Sequence, residues 1–142
     1  MKKNVLIPMI LVAATMFTST MANAQTVPTV PSAGMINHDI FITLKNPTPE
    51  AIEKQLELGR KYLTNHPGEV SFSSTVVAQG LTRHKQVSYL YNETDFSVAF
   101  HMVFANAKAH DEYQVSDAHV NHFIPLSNPN WTKIRVFDSV IE

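Results

Sequence analysis

The stretch DAHVNHF, residues 117–123, sets His119 and His122 three residues apart, and His110 stands nine residues before His119. The chain carries seven histidines and no cysteine, so imidazole dominates its available chemistry. Histidine titrates nearest neutral pH, so such rings hold a metal, move protons in a pocket, or sit idle on a helix. A zinc site needs three or four ligands, and these two histidines come without a cysteine or an HExxH pattern to complete the set. No metal site is therefore expected. There is also no Ser/His/Asp order, no glycine-rich phosphate loop and no nucleotide motif, so no cofactor is expected.

What positions these rings begins after the leader. Lys2 and Lys3 precede an apolar run over residues 5–17, and Ala22-Asn23-Ala24 offers a small-x-small cleavage site. Residues 1–24 therefore read as a secretory signal peptide cleaved after Ala24, with an apolar run too short for a stable membrane span. The expectation is a periplasmic or secreted protein with no stable membrane insertion after cleavage. Two lysines leave with the leader, so nine of the eleven basic residues remain against twelve acidic ones. That balance gives no electrostatic footprint for nucleic acid. Residues 25–34, with two prolines and no apolar periodicity, read as a linker. Residues 35–142 are enough for one domain with one core.

Within that domain, MINHDIFITLK alternates strictly. Ile36, His38, Ile40, Ile42 and Leu44 share the apolar face, a costly place for an imidazole without a partner. Thr48, Pro49 and Glu50 open a helix whose inner side carries Ile52, Leu56, Gly59 and Leu63, and Pro67-Gly68 stops it. A second strand follows over residues 69–79. Residues 80–94 are a polar connection with a basic knot at Arg83-His84-Lys85 and a short added strand at 87–91. A third strand over 95–104 sets Phe96, Val98, Phe100, Met102 and Phe104 on one face. Asn106 begins a helix with Ala109 and Tyr113 inward. Ser116 or Asp117 caps a second helical piece, where His119 and Phe123 stack four apart. A fourth strand closes the chain over 133–142.

The order β-α-β-β-α-β is the ferredoxin-like pattern of an α+β fold, a four-stranded antiparallel sheet with helices on one side. The sheet's other face, with Phe41, Val77, Ala99 and Val103, is too apolar for water, and a second copy of the chain is the simplest cover.

His38, Phe104, Tyr113, Ala118-His119, Phe123 and Asp138, in that order across residues 35–142, resemble the stress-responsive A/B barrel (Dabb) domain. The resemblance implies a homodimeric α/β barrel with a small pocket in each subunit between the sheet and its helices. It also implies that His38 and His119 come together for cofactor-free acid/base chemistry, as in a plant polyketide cyclase of the family, with Tyr113 lining the pocket. A second pocket tyrosine of that cyclase has no match here, where the first helix reads Gly59-Arg60-Lys61.

Ile40, Ile42 and Phe123 around such a pair would exclude water and favour a small hydrophobic or aromatic ligand. The function expected is thus an exported Dabb domain that binds such a ligand, with cyclase-, lyase- or isomerase-like chemistry on His38 and His119. The alternative is a non-enzymatic stress or envelope protein in which the two histidines form a satisfied structural pair. His66, His84, His101, His110 and His122 read as idle.

Overall fold

A computed structural model of the chain describes residues 32–79 and 95–142. The leader, most of the linker, the basic knot and the added strand at 87–91 lie outside the described residues. The strands are β1 (Ile36–Leu44), β2 (Glu69–Val76), β3 (Val98–Phe104) and β4 (Trp131–Val140). They form one antiparallel sheet in the order β2-β3-β1-β4. The helices are α1 (Pro49–Tyr62), α2 (Ala107–Gln114) and the short α3 (Ile124–Ser127), with a π-helical segment at Ala118–Phe123 and a 3-10 turn at Asn128–Asn130. No helix among the described residues is long and apolar enough to cross a membrane.

Local chemistry explains the boundaries. The Thr48 hydroxyl accepts the Ala51 N–H at 3.2 Å, and Pro49 takes the first helical position, where a missing N–H costs nothing. Asn106 caps α2 in the same way through Ala109 N–H at 3.0 Å. The helical segment that follows α2 is π rather than α: Ile124 N–H reaches the carbonyl of His119. Pro125, next in line, has no N–H for the ladder, which favours the widened turn.

The core lies between α1, α2 and the inner side of β1 and β3, around Ile42, Phe100, Met102, Phe104, Tyr113 and Phe123, all closed to solvent. Gly59 lets α1 lie directly on Phe100, since a Cβ there would stand 2.1 Å from Phe100 Cε1. Gln55 is buried on α1 as well, because its Oε1 accepts the Trp131 indole N–H at 3.3 Å. Periodicity alone marks neither the close approach nor the buried amide.

Three expectations change. The second strand ends at Val76, so Val77 is not part of the sheet. The third strand begins at Val98, and the chain before it is irregular. Phe96 packs on Phe41, with ring centroids 5.5 Å apart on the face away from the helices. Ser97 faces inward instead and accepts the Leu44 N–H at 3.0 Å. The fourth strand starts at Trp131, two residues early, and its pairing with β1 shifts register between Thr43 and Leu44.

The outer face is mixed, not uniformly apolar. Phe41 and Phe96 lie beside an Asp39–His101 pair (2.7 Å), and Phe137 on β4 is 63% exposed. The helix-facing side of β4 is also open, and Val136 and Val140 are each at least half exposed. Beyond the strand, Ile141 pairs with the end of the linker: Gly34 N–H donates to Ile141 O at 2.8 Å, and Ile141 N–H to Met35 O at 2.9 Å.

Candidate active site

The register sets the first contact. His38 on β1 lies opposite Asp138 on β4, both on the helix-facing side of the sheet. His38 is 2% exposed, and its Nδ1–H donates to Asp138 Oδ1 at 2.5 Å. A buried polar ring is tolerated only with a partner, and this one is a carboxylate. The bond fixes the tautomer, leaving the lone pair on Nε2, which has no hydrogen-bond partner among the described residues. Burial holds the His38 pKa below the ordinary imidazole value. Asp138 pulls it up, and His110 and His119 push it further down. The ring is therefore neutral at pH 7.

Tyr113 on α2 is the hub. Its ring contacts His38 at 5.5 Å, His119 and His66 at 4.8 Å each, and stacks on Phe104 at 5.0 Å. Its hydroxyl is buried without a hydrogen-bond partner among the described residues. Burial pushes its pKa up, with Glu69 and Asp138 adding to the rise, so it stays a donor. An unsatisfied buried hydroxyl costs about 1–3 kcal/mol, a cost removed when a ligand accepts from it.

His119 sits on the other side of Tyr113. No hydrogen bond or ring contact joins it to His38, so the two rings meet through the tyrosine instead of pairing directly. His119 Nδ1–H donates to the Gln114 carbonyl at 3.0 Å, and burial lowers its pKa. The stacking on Phe123 survives the π turn, at 6.2 Å between centroids. His122 is exposed, bonded to Asp117 at 3.1 Å and stacked on Tyr62 at 5.3 Å, away from the site. Ile40 is the next inward residue of β1, and Ile42 is wholly enclosed in the core.

His110 is the residue the periodicity reading missed. Its Nε2 stands 3.4 Å from His38 Nδ1 and 3.6 Å from Asp138 Oδ1, with 14% of its side chain exposed. The signal was present: His110, Tyr113 and Gln114 share one face of α2 at the i, i+3, i+4 spacing. Its neighbours simply lie on strands distant in sequence. Asp138 carried a similar signal, an acid alternating with Val136 and Val140 on one side of a strand.

These features define a ferredoxin-like α+β domain with a carboxylate–imidazole dyad under its second helix. The chain belongs to the stress responsive A/B barrel (Dabb) domain family, whose model matches residues 36–141. No curated protein matches it in sequence. Among solved structures, it resembles a Dabb family protein of ferredoxin-like fold from Mesorhizobium loti, at 23% identity and a TM-score of 0.61 over 77% of this chain and 98% of that one. It resembles the hydroxynitrile lyase of Passiflora edulis at 13% identity and 0.59, over 78% and 96%. A dimeric ferredoxin-like protein of unknown function from Thermobifida fusca matches at 13% and 0.59, over 75% and 91%.

Proposed function

We propose that this chain is an exported Dabb domain protein that binds a small apolar or aromatic carbonyl compound beside His38 and performs cofactor-free acid/base chemistry on it. The observation that carries the proposal is the pairing of two unpartnered groups: the Nε2 lone pair of a buried, aspartate-held imidazole and the hydroxyl of Tyr113 in ring contact with it. Tyr113 donates to the ligand carbonyl, and His38 Nε2 takes the α-proton. Asp138 stabilises the imidazolium that forms, and the proton returns to carbon or passes to oxygen. Val136 and Val140, open on either side of Asp138, give a flat ligand its apolar bed. His119 holds the Tyr113 ring, and its Nε2 donates only when protonated. The likeness in fold to a lyase fits this class of reaction.

Acetophenone is the probe, because its methyl protons are weakly acidic and a single aromatic ring fits an apolar bed. In D2O the protein should incorporate deuterium into that methyl group above the buffer rate. Binding should also change the fluorescence of Trp131, the sole tryptophan, which lies 6.0 Å from Phe123. Neither effect at millimolar acetophenone would favour the inert barrel.

The exposed Phe137 and the half-buried Phe41 on the outer face favour a two-fold pair of sheets. With the leader removed, light scattering should give about twice the chain mass, and intact-mass measurement an N-terminus at Gln25. A monomer at micromolar concentration, or retained Met1, would count against the paired barrel or the export.

A further inference from the structure

His38, His110 and Asp138 come from three separate elements, β1, α2 and β4, and their ligand atoms all lie within 4.8 Å of one another. We propose that they form a site for one first-row divalent ion of the zinc class, with one coordination position left open.

Zinc held by nitrogen and oxygen at about 2.0–2.1 Å sets neighbouring donors about 3.3 Å apart in a tetrahedron. The two distances from His110 Nε2, 3.4 and 3.6 Å, are already close to that spacing. The third, between His38 Nδ1 and Asp138 Oδ1, is 2.5 Å, a hydrogen-bond separation. An ion replacing the Nδ1 proton would drive these two atoms apart. Asp138 can yield, since its side chain is 48% exposed on an edge strand, whereas His38 is fixed in the core.

His110 is set for ligation by what lies behind it. Its Nδ1–H donates to Asp111 Oδ1 at 3.1 Å, which keeps the lone pair on Nε2, the atom facing the cluster. A carboxylate on the far nitrogen is the usual support of a metal-bound histidine, and it orients the ring while raising its basicity. Gln114 Nε2–H donates to the same Nε2 lone pair at 3.1 Å and must turn aside as the ion arrives. Two imidazoles and one carboxylate select zinc-like ions over magnesium or calcium, which take oxygen donors. Three protein ligands leave room for water or an anion. The partial exposure of His110 and Asp138 gives the ion a way in.

Occupation would change the site's chemistry. A metal on Nδ1 of the neutral ring moves its proton to Nε2, so His38 turns from acceptor to donor and proton abstraction stops. This consequence alone rests on the base role proposed above; metal uptake is read without any substrate.

The test titrates Zn2+ and Co2+ into chelator-stripped protein by calorimetry and visible absorption. The expected result is one ion per chain, a Co2+ band of four-coordinate intensity, and no competition from Mg2+. His110→Ala should weaken uptake at least about a hundredfold, and Asp111→Asn about tenfold, the range seen for supporting residues. Asp111 is 77% exposed, so its variant tests the site without threatening the fold. His122→Ala, which removes the exposed His122–Asp117 pair, should leave uptake unchanged. Failure of the wild type to bind stoichiometrically at micromolar ion would overturn the site. So would full affinity in both His110→Ala and Asp111→Asn.

Discussion

His38→Ala should reduce the acetophenone exchange rate to that of buffer, a loss of about a hundredfold or more, the usual contribution of a positioned base. Asp138→Asn should lose nearly as much while keeping the shape of the site. An amide can donate to Nδ1, and it then stabilises the tautomer whose Nε2 already carries a proton. His122→Ala should leave the rate unchanged, because that ring is bonded to Asp117 and stacked on Tyr62. His119→Ala should fall between, since it removes a ring packed on Tyr113 and no contact to His38. The pH dependence has a definite sign. Only neutral His38 accepts a proton, and burial holds its pKa below the ordinary 6.5. The rate should therefore be flat from about pH 7 upward and fall on the acid side, with a midpoint below 6.5. Equal losses from His38→Ala and His122→Ala, or an acid limb centred above pH 7, would rule out the dyad as the base.

Gly59→Ala should destabilise the fold although it adds a single methyl. The added Cβ would meet Phe100 Cε1 at 2.1 Å, Cζ at 2.5 Å and Cδ1 at 2.8 Å. Phe100 has no free direction, being wholly buried between Phe72 (6.0 Å) and Phe123 (5.9 Å). Overpacking of this kind costs about 1–3 kcal/mol and sometimes more, against a gain of about 1 kcal/mol in helix propensity. At the upper end of that range the net loss is about 2 kcal/mol, which should lower the Tm by about 10 °C for a domain near this size. An unchanged or raised Tm would mean that α1 does not lie on Phe100.

How much of this was legible depended on whether a local period carried the information. Alternation put His38 on the apolar face of β1, and it holds Asp138 on the same side of β4, so both halves of the dyad were written in strand periodicity. Their meeting was not, because it needs the register between strands a hundred residues apart. Phe96 misled for the opposite reason. Its spacing continued a pattern beyond the end of the strand, and the irregular backbone before Val98 set it on the other face. His119 and Phe123 kept their stacking through a π turn that only the proline at 125 hints at. The resemblance supplies Asp138 as well as Tyr113 and His119, but its pattern does not include His110. Gln55 was hidden because periodicity assigns inner positions to apolar side chains and cannot see the indole that donates to its amide oxygen.

The pairing of Gly34 and Met35 with Ile141 ties the end of the linker to the strand that bears Asp138. Edge strands open more readily than central ones, and amide exchange reports such local opening well below the global unfolding energy. β4 is paired on one side only, so this short clasp guards the carboxylate against fraying from the C-terminal end. Opening of this clasp would free Asp138 while the Ile42–Phe100 core stays closed, so the amides from Asp138 to Ile141 should exchange faster than those of β3.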